Sequence, residues 1–84
     1  MIQAKELAAM KMKLADARAE CGISQAALAK ASGISKPVIV RAENGFAIER
    51  ISAHAILKVL NSIRIDLNLE PVGFYELDWK IRGE

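Results

Sequence analysis

Cysteine is nearly missing from this sequence. Its one residue, Cys21, has no second cysteine to bond, so an internal disulfide is excluded and a reducing setting fits. Histidine is as scarce, and a lone His54 beside a lone Cys21 supplies neither a metal-ligand set nor a nucleophile–base pair. No glycine-rich phosphate loop and no nucleophile motif occurs. The acids at 66, 70, 76 and 78 alternate with apolar residues, which makes them a solvated face rather than a paired-carboxylate site. Neither metal nor cofactor is expected, and an enzyme is the least favoured class. No apolar run approaches the roughly 18 residues that cross a bilayer, so no membrane partner is expected. The opening stretch MIQAKELAAMKMK lacks the apolar core of a secretory signal, and a cytoplasmic location is expected.

What is present is a helix-prone, alanine-rich chain of 84 residues, the length of one domain. A domain so small has a thin core, and pairing with a copy would add burial. The net charge of +2 is unevenly spread: residues 1–64 carry ten Lys/Arg against five acids, and residues 65–84 two against five. The first part suits a polyanion and the tail does not.

Helical periodicity over 3–20, with Leu7, Met10, Leu14 and Ala17 on one face, predicts a first helix that stops near Gly22. Ser24 is placed to cap a second helix, and Gly33 to make the turn after it. Ser35 caps a third helix that Lys36 and Pro37 open and Asn44-Gly45 close. After a loop over 46–51, Ser52 is placed to cap a fourth helix with Ala53, Ile56, Val59, Leu60 and Ile63 on its apolar face. Beyond residue 64 the period drops to two. Ile65, Leu67 and Leu69 alternate with polar residues, Pro71-Val72-Gly73 reads as a turn, and Tyr75, Leu77 and Trp79 alternate again. This predicts a β-hairpin pairing 65–70 with 74–80.

Two short helices joined by a tight glycine turn make a helix-turn-helix, in which the second helix keeps one face out of the core and sized for a DNA major groove. On that helix Ile34, Val38, Ile39 and Ala42 supply apolar contacts, leaving Ser35, Lys36, Pro37, Val40 and Arg41 as candidates for base contacts. Arg41 suits a bidentate contact to guanine, Lys36 a base or a phosphate, and Val40 a thymine methyl. The plainer alternatives are that Lys36 and Arg41 form a solvated face and that Pro37 only stiffens the helix start. Ser24 and Gln25 at the second helix start, Asn44 past the third, and Phe46 and Arg50 in the loop are candidates for phosphate contacts.

The spaced positions Arg18-x3-Gly22-Ile23-Ser24-Gln25-x2-Leu28-Ala29-x3-Gly33-Ile34-Ser35-x3-Ile39-x3-Glu43-x-Gly45 resemble the Cro/C1-type (Xre-like) helix-turn-helix family of phage repressors and bacterial regulators. The resemblance covers about residues 7–64. It implies a compact, mainly α, four-helix domain whose recognition helix includes 35–41, and an internal salt bridge between Arg18 and Glu43. The sequence departs from the family in three respects. The 46–51 loop is longer, Arg50 stands where proline is common, and the hairpin replaces a fifth helix.

The expectation is therefore a helix-turn-helix domain over 1–64 with a C-terminal β-hairpin over 65–84 serving as a dimerisation element through Ile65, Leu67, Leu69, Tyr75, Leu77 and Trp79. A homodimer would read a near-palindromic double-stranded DNA operator through helix 35–43, as a transcriptional regulator and most simply a repressor, at the nucleoid. Two other classes compete: an antitoxin whose tail holds a toxin, and a protein-interaction module that kept the fold and lost DNA binding. A toxin or an anti-repressor would be the protein partner.

Overall fold

Among the described residues, four helices are set by local signals at their ends. A computed structural model describes residues 11–84. Helix α1 spans Leu14–Glu20, α2 Gln25–Ser32, α3 Lys36–Glu43 and α4 Arg50–Asp66. Ser24 is the N-cap of α2, its Oγ accepting the Ala27 N–H at 3.0 Å. Gly33 follows α2 at φ 73°, a left-handed conformation that a side chain disfavours, and it turns the chain into α3.

The core lies where these helices meet. Leu14 and Ala17 of α1, Leu28 of α2, Ile39 and Ala42 of α3, and Ala53, Ile56 and Leu60 of α4 are all buried. Removing a leucine or isoleucine side chain from water is worth about 1.5–3 kcal/mol, so each such residue matters in a domain with few of them. The buried row on α4 continues at helical spacing to Arg64, which is only 6% exposed. Its charge is satisfied: Nε donates to the Glu70 carbonyl at 2.7 Å, and a terminal nitrogen pairs with Glu20 at 2.9 Å.

The described residues also form four two-residue strands, β1 at Met12–Lys13, β2 at Ala47–Ile48, β3 at Leu77–Asp78 and β4 at Lys80–Ile81. Both pairings are parallel. Met12 aligns with Leu77 and Lys13 with Asp78, while Ala47 aligns with Lys80 and Ile48 with Ile81. One extended segment, 77–81, thus pairs first with the chain ahead of α1 and then with the loop ahead of α4.

The mainly helical architecture matches the reading from sequence, and strands do form near the C-terminus, but the hairpin pairing of 65–70 with 74–80 is corrected. Helix α4 runs through Asp66 and closes at Asn68, which takes φ 60°. The Asn68 N–H donates to Ile65 at 3.0 Å and the Leu69 N–H to Arg64 at 2.8 Å, the paired bonds of a Schellman cap. Asparagine tolerates that conformation, so a helix end competes successfully with a strand. Phe74–Glu76 form a 3-10 turn instead of a strand. The period-two signal holds only over 77–81, where Leu77 and Ile81 are buried and Trp79 half-buried.

Two further boundaries differ. The helix expected over 3–20 starts at Leu14 within the described residues, because Met12 and Lys13 pair with the tail. Leu7 and Met10 lie outside the described residues. Glu49, not Ser52, is the N-cap residue of α4, and its side chain accepts from Arg82 at 2.5 Å rather than capping the helix.

Candidate nucleic-acid interface

Helix α3 divides into two faces. Ile39 and Ala42 are buried and Val38 half-buried, which fixes the helix against α1, α2 and the loop. Ser35, Lys36, Pro37 and Arg41 are exposed and Val40 half-exposed. Ser35 occupies the N-cap position with extended backbone, but its hydroxyl makes no capping bond. Among the described residues that hydroxyl has no hydrogen-bond partner. Pro37 sits in the first turn, where its missing N–H has no helical acceptor. Neither Lys36 nor Arg41 enters an ion pair among the described residues.

The one carboxylate of α3 is turned away from this face. Glu43 accepts from Arg18 Nε at 2.7 Å, from a second Arg18 nitrogen at 3.2 Å, and from the Gln25 amide at 3.0 Å. Arg18 also donates to the Ile23 carbonyl at 3.1 Å. One bidentate, charge-assisted contact therefore joins α1 to the end of α3 and to the first turn of α2. The hydrogen bond to Glu43 is the main cause that raises the Arg18 pKa above its usual value. Desolvation opposes it and the charge of Glu43 adds to it.

The residues expected at phosphates are placed unevenly. Ser24, at the start of α2, and Asn44, just past α3, are exposed. Gln25 is half-buried and spends an amide N–H on Glu43 instead of presenting it outward. Phe46 is 55% exposed, and the Arg41 guanidinium carbon lies 5.3 Å from its ring centroid. Arg50 is held by the tail: it donates to the Tyr75 hydroxyl at 3.2 Å, lies 5.3 Å from the centre of the Phe74 ring, and pairs with Glu84.

The tail residues expected at a dimer interface do not share one face. Leu77 is 1% exposed, inside the core of the single chain, and has no surface to offer a partner. Trp79 is half-buried and donates its indole N–H to the Phe74 carbonyl at 3.0 Å. Leu69 is half-buried, whereas Ile65, Leu67 and Tyr75 are more than half exposed.

Sequence reasoning missed Arg64 and Asn61, which anchor the tail. Arg64 continues the 53-56-60 spacing, and that position was the available signal. Among the described residues no group of His, Cys, Asp and Glu could hold a metal ion, and no helix is long and apolar enough to cross a membrane.

A family model described as helix-turn-helix matches residues 14–69, two thirds of the chain. No curated protein matches the chain, and no solved structure does. The matched span runs from the first residue of α1 to just past the Asn68 cap, and so contains the four helices of the described residues and the whole of the exposed α3 face. With its capped α2, glycine turn and outward α3, the chain belongs to the Cro/C1-type helix-turn-helix family of DNA-binding regulators.

Proposed function

We propose that this chain is a sequence-specific repressor that binds a near-palindromic operator as a homodimer, with α3 lying in the major groove. The observation that carries the reading is the charge arrangement of α3. Lys36, Arg41 and the Ser35 hydroxyl face outward, while Glu43 is drawn inward by Arg18 and Gln25. A helix so arranged meets phosphates and guanine edges without a repelling carboxylate. Two copies would set their α3 helices about 34 Å apart, one turn of DNA. Exposed Ile65, Leu67 and Tyr75 are the residues offered for that pairing. Occupying an operator would block polymerase, the simplest route to repression.

The test is selection from a random duplex library, followed by a salt titration on the enriched sequence. An enriched inverted repeat whose affinity falls steeply with salt supports the reading. Weak binding with no enriched sequence overturns it and favours a protein-interaction module.

A further inference from the structure

The end of α3 carries a second-order feature that bears on how a base would be read. Gly45 adopts φ 84°, its N–H donates to the Ala42 carbonyl at 3.2 Å, and the Phe46 N–H donates to the Arg41 carbonyl at 2.9 Å. These bonds form a Schellman cap, a motif that brings the second residue past the cap back against the last helical turn. Here that residue is Phe46 and its neighbour on the turn is Arg41. The guanidinium carbon stands 5.3 Å from the ring centroid, within cation–π range. Phe46 remains 55% exposed, so its ring is not committed to the core.

We infer that Phe46 is a positioning residue for base recognition, holding Arg41 in the orientation that reads guanine. The inference rests on the proposed function, in which Arg41 contacts a base. The cation–π contact spends no N–H of the guanidinium, whereas a bidentate contact to guanine uses its in-plane N–H edge. The two are compatible on one side chain. A long arginine at a helix end otherwise loses rotamer freedom when it binds, and a ring already seated on it lowers that cost. Glycine at 45 is what permits the geometry, because a side chain at φ 84° is strained.

The test uses a fluorescent duplex enriched from a random library, with each guanine replaced in turn by 7-deazaguanine, which removes the N7 acceptor. Wild-type protein should lose affinity by about tenfold at one guanine of each half-site, a symmetry-related pair of positions. In Phe46→Leu, which keeps an apolar contact but no ring, that loss should shrink by about two- to fivefold, with Phe46→Tyr restoring it. In an Arg41→Ala background, Phe46→Leu should have no effect on the ratio. Circular dichroism checks that each variant is folded. If wild-type protein tolerates 7-deazaguanine everywhere, base reading by Arg41 fails and the inference goes with it. If wild-type protein is sensitive and Phe46→Leu equally so, or if the Phe46→Leu effect survives in Arg41→Ala, Phe46 does not position Arg41 although the base contact stands.

Discussion

Asn61 and Val72 exchange two hydrogen bonds, the Asn61 amide donating to the Val72 carbonyl at 2.9 Å and the Val72 N–H donating to Asn61 Oδ1 at 2.8 Å. A side chain on α4 thereby treats a tail residue as a neighbouring strand would. Val72 is buried, so both its backbone groups need these partners.

Asn61→Ala should lower unfolding free energy by about 1–3 kcal/mol, since it strands a buried donor and a buried acceptor. Urea denaturation reads the loss. Trp79, packed in the same tail, should show a red-shifted emission if the tail detaches before the helices unfold. An unchanged midpoint would show that the tail is held by other contacts.

Arg41→Ala should weaken binding to the selected duplex by about 1–3 kcal/mol per half-site and relax the preference at one base pair of each half-site. Lys36→Ala should act differently if it meets a phosphate, weakening all duplexes alike and lowering the salt slope by about one. Fluorescence anisotropy at several salt concentrations separates the two. Equal affinity of Arg41→Ala and wild type for the selected sequence would remove Arg41 from the reading set.

Cys21 should be a slow thiol. Burial is the main cause that raises its pKa above the ordinary value near 9.0; the Arg64 charge opposes the rise and the Glu20 charge adds to it. Its Sγ also faces the Leu60 carbonyl at 3.6 Å. Iodoacetamide at mildly alkaline pH should therefore alkylate the folded chain more slowly than the urea-unfolded one. The folded state keeps the proton longer, so this contribution is full below the ordinary thiol pKa and declines as pH rises through the raised one. A Cys21→Ala variant should lose less stability than wild type across that alkaline window. Equal alkylation rates for folded and unfolded chain would count against a protected thiol.

The proposed dimer predicts that a charge on its exposed apolar surface separates the copies. Ile65 is 59% and Leu67 51% exposed, so Ile65→Lys with Leu67→Lys should leave the fold intact. Sedimentation at low micromolar concentration should shift from dimer to monomer, and operator affinity should fall with it. Unaltered sedimentation of a dimeric wild type would place the interface elsewhere.

Features that depend on near neighbours were readable from the order of residues alone. Ser24, Gly33 and Gly45 act on residues a few positions away, and Ser35 takes the N-cap position without a capping bond, so three helix ends and the turn between α2 and α3 were legible, and the exposed set on α3 followed from its period. Arg18 and Glu43, 25 residues apart, were joined only by resemblance to a family, because no local rule links them. Other features depend on packing between distant segments. Alternation over 65–70 suits a strand and a frayed helix end alike, and the choice fell to the Asn68 cap and the buried bonds of Arg64. The strands at 77–81 found their partners at 12–13 and 47–48, far away in the chain, and buried Leu77 in doing so. Gln25 turned inward because Glu43 lay within reach once α1, α2 and α3 had packed. Capping and periodicity act along the chain, whereas strand pairing and charge pairing depend on which surfaces the folded chain brings together.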